Sequence, residues 1–325
     1  MTLYKRPDTH ADSFLSLLAT EFEQALRQLI SSLPSHGDLV QYAMRSGHRT
    51  RPVGCLLAAE AVGGDWRSAL NSALAVELIH KSSVIRDDIM DGDIVRSGQP
   101  AFHVTFGIAK AIAVGDLLWT IALDQDPGRT GDLRRLCVDS LRQMAAGQLE
   151  DVVPSADRLS VRDRRLVEER KTGALSELSC RLGATIGGGD ANQVDALALY
   201  GRNLGTAFQI LNDLRNLRGE EPERRPGSDL RRHRVTILAA HAREVSTGVV
   251  RRRMDAVLLG PDELPDADVA FLREVILESG TAEFGERSAA DLMEDARSQL
   301  SALTDSPAKE ILRSLTEDAL LAYAF

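Results

Sequence analysis

The sequence predicts an all-α fold, and three observations predict it. Apolar residues recur at helical spacing almost throughout, as in SFLSLLATEFEQALRQLISSL, where Leu15, Leu18, Phe22, Leu26 and Ile30 follow one another three and four positions apart. Alternating apolar and polar runs, the mark of half-buried strands, are absent. Glycine and proline with polar neighbours interrupt the pattern in runs too short to link domains. A chain of 325 residues can bury a sizeable core. We therefore expect one domain over residues 1–325, a bundle of ten or more helices with its sites built from side chains on facing helices.

The elements follow in order from that pattern. The first helix is the stretch just quoted, and RSGHRTRP marks the break after it. Helical spacing resumes over 51–62 and 67–91, the second of which runs into GDIVRSGQP. The run 108–124 gives way to DQDPGRTGD, after which 131–152, 160–187 and 190–218 stay helical in period up to EEPERRPGSD. The last third predicts helices over 234–258, 266–279, 284–303 and 307–323, with LGPDELPD between the first two. No repeat of solenoid period is present.

Composition excludes several function classes. A formal net charge of −9 and a pI of about 5.4 argue against a nucleic-acid partner or an anionic membrane surface. An anionic substrate would then need local positive charge. Cys55, Cys137 and Cys180 lie far apart without metal-ligand spacing and read as packing residues in a reducing compartment. The N-terminal MTLYKRPDTHADSF lacks a signal-type apolar core, and no apolar run reaches transmembrane length. The expectation is a cytoplasmic chain with no stable membrane insertion.

VIRDDIMDGDIVRSGQPAFH, residues 84–103, places three aspartates within five positions. On a helix, Asp87 and Asp91 stand one turn apart on one face, with Asp88 turned roughly 100° away. Like charges at that spacing repel unless a hard divalent cation sits between them. Mg²⁺ is commonly held by one or two carboxylates together with substrate phosphates, so the stretch reads as half of a metal–diphosphate site. A solvated acidic helix end is the alternative.

A second polar stripe lies in GTAFQILNDLRNLRGEEPERRPGSD, residues 205–229. Asn212, Asn216 and Glu220 follow at i, i+4 and i+8 on a helix that otherwise carries Phe208, Leu211 and Leu214. Two amide oxygens and a carboxylate in a row are candidate ligands for a hard cation. Glu220 adjoins Gly219, where a helix readily ends, and a polar face bonded to Arg215 or Arg224 is the alternative.

Together these residues resemble the all-trans isoprenyl diphosphate synthase family, the α-helical class I isoprenoid-synthase fold, over about residues 40–240. DDIMD matches the first DDxxD motif, preceded by ELIHKSSVIR and followed by RSGQPAFH, where the family usually has a double arginine before glycine. SGHRTRP stands where Gly-Gly-Lys-Arg-x-Arg-Pro is usual, and VGDLL, GQLED and RKTGAL resemble further family motifs in the expected order.

The resemblance implies an allylic prenyl diphosphate that ionises, isopentenyl diphosphate that attacks the cation, and Mg²⁺ as cofactor. It assigns Asp87 and Asp91 to metal, and Arg96, Lys171, Gln209, Arg224 and Arg234 to the allylic diphosphate, with Asp87, Asp91, Arg96 and Lys171 stabilising its departure. Arg51 and His80 remain on the isopentenyl side. There, however, His48 stands at the family's lysine and Ser97 at the second arginine of a pair. Each charge-assisted contact contributes roughly 1.5–3 kcal/mol, so two absent cations would weaken isopentenyl diphosphate on the order of 10²- to 10⁴-fold, unless Arg49 or a protonated His48 compensates. The second aspartate-rich motif reads NDLRN here. NDLRNLRGE also resembles the Asn-Asp-x-x-Ser-x-x-x-Glu motif of class I terpene cyclases, whose ligands would be Asn212, Asn216 and Glu220. A cyclase binds one diphosphate, so both departures point the same way.

In the family, residues four and five places before the first aspartate line the floor of the prenyl pocket. Here they are Ser83 and Ser82, which leave room for a geranylgeranyl or geranylfarnesyl tail, with Trp119 closing the pocket deeper down. Serines that bond back to helix carbonyls are the plainer reading. An aromatic content of 4% leaves few rings, Phe208 among them, to face a carbocation. The expected function is Mg²⁺-dependent ionisation of a long allylic diphosphate, first as a terpene synthase derived from a prenyl diphosphate synthase. The alternative is a chain-elongating polyprenyl diphosphate synthase, and the third reading is a non-catalytic subunit of a heteromeric synthase. Relatives of this fold commonly dimerise, so a homodimer is expected.

Overall fold

The structure, a computed structural model, describes residues 10–125, 132–152, 158–220, 225–232, 234–260 and 263–317. They are helical almost throughout: α1 (His10–Ser32), α2 (Gly37–Met44), α3 (Thr50–Ala61), a 3₁₀ turn (Trp66–Ala69) and α4 (Leu70–Asp91). A two-residue hairpin, β1 (Val95–Arg96) and β2 (Gln99–Pro100), precedes α5 (Phe102–Phe106), α6 (Ile108–Asp124) and α7 (Asp132–Val152). After α8 (Val161–Glu168) and a π turn (Glu169–Gly173) come α9 (Ala174–Ile186), α10 (Ala191–Arg218), α11 (Ser228–Arg231) and α12 (Ile237–Val245). The chain continues with α13 (Gly248–Leu258), α14 (Asp266–Glu278), α15 (Thr281–Gln299) and α16 (Pro307–Glu317).

Two compact units are present. The first comprises Met1–Leu141, Leu175–Gly201 and Ala296–Phe325, the second Arg142–Ala174 and Arg202–Asp295. In the first unit α4 packs along α6 and against α3, α16 lies on α3, and α1 covers α3 and α4. Apolar or small residues occupy every face of LNSALAVELIHKSSVI, so α4 is buried nearly end to end, and Leu74, Leu78, Ile79 and Ile85 are each 4% exposed or less. Gly183 brings α9 onto α3, since a Cβ there would fall 2.0 Å from the Cys55 carbonyl oxygen. All three cysteines are buried.

In the second unit α8 packs on α12, α12 on α13 and α14, and α11 on α14. Leu214, Leu238, Leu272 and Ile276 form its core. Ser160 caps α8 by accepting from the Asp163 N–H, and Thr236 caps α12 by accepting from the Ala239 N–H.

Departures from the expected elements have local causes. The run expected at 160–187 holds the π turn, and the one at 234–258 breaks where Ser246 and Thr247 take extended backbone. The hairpin and the short helices α2, α5 and α11 are too brief to show a hydrophobic period. Residues 318–323 of the last expected helix lie outside the described residues. Among the described residues no helix is long and apolar enough to cross a membrane.

Candidate active site

α4 ends in the first aspartate motif. Gly92, at φ 62°, closes the helix by donating to the carbonyls of Asp88 and Ile89. On that turn Asp88 points inward and is 2% exposed, while Asp87 is half-exposed, the divergence that a 100° step per residue predicts. Asp91 is buried one turn on from Asp87. Arg96 on β1 donates from Nε to Asp88 Oδ1 at 2.9 Å and from Nη2 to Asp93 Oδ2 at 3.2 Å. The arginine assigned to substrate therefore also neutralises two buried aspartates. Burial lifts the Asp88 carboxyl above its ordinary pKa, and Arg96 opposes the rise. Ser97 and Gly98 form the hairpin loop with φ of 52° and 72°, as a two-residue turn between twisted strands requires. Among the described residues no group of three or more His, Cys, Asp and Glu side chains is arranged to hold a metal ion. Asp87 and Asp91 offer two carboxylates one turn apart, which suits a cation such as Mg²⁺ that completes its shell with water and phosphate oxygens.

Further up α4, His80 meets the first turn of α3. Arg51 Nη1 lies 3.5 Å from His80 Nε2, and Arg51 Nε is buried with no hydrogen-bond partner among the described residues. Burial, and then the charges of Arg51, Lys81, Arg49 and Arg96, drive the His80 pKa far below its ordinary value, so the ring is neutral at pH 7. Arg49 does not compensate for the missing cations. Its Nε donates to Glu23 at 2.7 Å, its Nη1 to Glu77 and to the Ser46 carbonyl at 3.2 Å, and its Nη2 to the Met44 carbonyl. These bonds hold it at φ 62°, a left-handed conformation that costs a non-glycine residue about 1 kcal/mol or more. Nor does His48, whose pKa falls through partial burial and the nearby Lys81. The cation that sequence reading missed is Lys81, buried on α4 four residues after Glu77. Its signal was present: it is the one Lys or Arg within LNSALAVELIHKSSVI.

Ser82 and Ser83 differ in their surroundings. Ser83 Oγ donates back to the His80 carbonyl at 2.8 Å, the plain helical bond. Ser82 Oγ donates across to the Gly115 carbonyl on α6 at 2.8 Å and accepts from Arg86. That guanidinium also pairs with Asp116 and lies 3.7 Å from the ring centroid of Trp119. A Cβ on Gly115 would meet Arg86 Cζ at 3.3 Å. Arg86 thus takes up the space beside Ser82 that sequence reading left open.

In the second unit Asp151, near the end of α7, is the hub of a buried ion network. Lys171 Nζ donates to its Oδ2 at 2.8 Å, Arg164 Nη2 donates to its Oδ1 at 2.7 Å, and Arg234 Nε stands 3.7 Å from Oδ2. Burial alone would raise the Asp151 pKa, but Lys171, Arg234 and Arg164 bring it down to about 2. Glu168 is pushed up to about 7 by burial and by Asp151, and Asp213 rises well above its ordinary value through burial, Glu168 and Asp229. Gly147 permits the approach of the π turn that carries Lys171, because a Cβ there would fall 2.7 Å from the Lys171 backbone nitrogen. Thr172 Oγ1 donates to Gln209 Oε1 at 3.2 Å, and Gln209 Nε2 donates to Asp213 Oδ1 at 2.9 Å.

The stripe expected from Asn212, Asn216 and Glu220 is not preserved. Asn212 and Phe208 are half-exposed on one face of α10. Asn216 is buried, donating from Nδ2 to Ser228 Oγ at 2.7 Å and accepting from the Asp229 N–H at 3.3 Å, so it fixes the start of α11. Glu220 lies beyond the helix, which ends at Arg218, and is exposed. The cyclase-like triplet is therefore divided among three environments. Arg224 lies outside the described residues.

The family model described as polyprenyl synthetase matches residues 35–274. A short chain isoprenyl diphosphate synthase of Methanothermobacter thermautotrophicus is 35% identical over 283 residues, which cover 84% of this chain and 86% of that protein. The crystal structure of geranylgeranyl pyrophosphate synthetase from Pyrococcus horikoshii matches with a TM-score of 0.83 at 28% identity, over 94% of this chain and 97% of that one. A polyprenyl synthase from Caulobacter crescentus, solved with calcium and isoprenyl diphosphate, matches with a TM-score of 0.85 at 25% identity over 99% of both chains.

Proposed function

The chain belongs to the polyprenyl synthetase family, and on that premise we propose that it elongates an allylic prenyl diphosphate by condensation with isopentenyl diphosphate. The cyclase reading, placed first on sequence grounds, is not supported: the relatives described above are named isoprenyl or polyprenyl synthases. The observation that carries elongation is the pairing of Arg51 with His80, a half-buried basic pair whose Arg51 Nε has a donor to offer a second anion.

In this reading Asp87 and Asp91 would hold Mg²⁺, which when bound would neutralise charge on the departing diphosphate, and Asn212 is a further candidate ligand. Lys171, Arg234 and Gln209 bind the allylic diphosphate, and Lys171 is held in place by its ion pair with Asp151. Arg96 orders the first motif by holding Asp88 inward, which leaves Asp87 turned the other way. The allylic carbon–oxygen bond breaks with its electrons leaving on diphosphate. The isopentenyl double bond then attacks the allylic carbon, and a proton passes from the neighbouring carbon to the released diphosphate, which restores an alkene. Exposed Val104, Ile108 and Ile112 on α5 and α6 support a homodimer. The test is whether turnover yields a longer linear diphosphate and needs isopentenyl diphosphate to do so.

A further inference from the structure

The basic cluster of the first unit contains an ammonium that no motif assigns. We propose that Lys81 binds the diphosphate of isopentenyl diphosphate, in place of the lysine that SGHRTRP lacks at position 48. The inference rests on the elongation reading and deepens it.

Lys81 reaches from α4 to the loop before α3, where Nζ donates to the Ser46 carbonyl. A Cβ on Gly47 would fall 2.6 Å from Nζ. The ammonium therefore lies against the residue preceding His48, and exposed Gly47 has no side chain to cover it.

Arg49 is matched by Glu23 and Glu77, and Arg96 by Asp88 and Asp93. The carboxylate near Lys81 is Glu77, at 3.8 Å and already bonded to Arg49. Arg51 makes no ion pair among the described residues, and its Nε has no hydrogen-bond partner. His80 beside it is neutral. Two cations, Lys81 and Arg51, thus exceed the local negative charge, and a diphosphate supplies the missing anion. Burial lowers the Lys81 pKa to about 8, Glu77 opposing and Arg49, Arg96 and Arg51 adding to the fall. It remains protonated at neutral pH, and an arriving anion would relieve that repulsion.

The experiment uses the full-length protein. Binding of isopentenyl diphosphate is measured by calorimetry, alongside KM for each substrate and thermal unfolding. Lys81→Met should weaken isopentenyl diphosphate about 10- to 100-fold while the allylic KM stays within about twofold, and adding His48→Lys should recover most of the loss. Lys81→Gln keeps a donor for the Ser46 carbonyl without the charge, and it should weaken binding to the same extent. It also serves if the methionine variant does not fold. Full affinity in Lys81→Gln, or equal loss for both substrates, would overturn the inference and leave Lys81 as a strut for the loop. Because calorimetry needs no turnover, Lys81-dependent binding without elongation would sink only the functional reading. Elongation that ignores Lys81 would sink only the inference.

Discussion

Lys171 Nζ lies 2.8 Å from Asp151 Oδ2, so a cation from the RKTGAL motif and the last residue of GQLED form one buried ion pair. Arg164, 1% exposed, and Arg234 share the same carboxylate. Asp151→Asn leaves these cations without their buried counter-charge, and the expected loss of stability is about 3–5 kcal/mol by denaturant titration. The native pKa of Asp151 is depressed to about 2. Its contribution is therefore present above the unfolded value near 4 and lost as pH falls through about 2. Wild-type stability should fall across that window, and the asparagine variant should show a shallower fall. Identical acid limbs would exclude Asp151 as a source of the pH dependence.

Asp87→Asn should reduce turnover at least about 100-fold while the thermal transition stays near that of wild type. Asp87 is half-exposed at the end of α4, so its removal disturbs no core contact. A folded variant of near wild-type rate would mean that the aspartates are only a solvated helix end.

On the elongation reading, the wall formed by α4 and α6 limits chain length. Ser83→Phe adds a ring one turn before Asp87 and should shift relative kcat/KM towards shorter allylic diphosphates. Arg86→Ala removes the guanidinium lying over Trp119 and beside Gly115, and it should lengthen the product. Product lengths are read by mass spectrometry. An unchanged distribution in both variants would place the limit of the tail elsewhere.

The two asparagines should separate. Asn216 holds Ser228 and Asp229, so Asn216→Ala should cost about 1–3 kcal/mol of stability with the Mg²⁺ requirement unchanged. Asn212→Ala should leave stability near wild type and raise the Mg²⁺ concentration needed for half-maximal rate. The reverse outcome would restore Asn216 as the metal ligand.

Much of this arrangement is legible in the sequence where local geometry decides it. The long helices follow from their hydrophobic period, and the opposite facing of Asp87 and Asp88 follows from the turn of one residue on a helix. The unread parts depend on distant partners. Arg49 looks available until Glu23, 26 positions away, and Glu77 are seen to hold it. Asn216 looks like one member of a ligand row until α11 folds back onto it. Lys81 lies in ELIHKSSVIR but the resemblance gives it no role, and its value comes from lying beside Gly47 and among arginines.

Product analysis separates elongation from cyclisation. The purified protein is incubated with Mg²⁺ and geranyl, farnesyl, geranylgeranyl or geranylfarnesyl diphosphate, each with and without isopentenyl diphosphate. An elongating synthase should be nearly silent with one substrate and yield a longer linear diphosphate when both are present. Release of diphosphate with a hydrocarbon or terpene alcohol, in the absence of isopentenyl diphosphate, would contradict elongation.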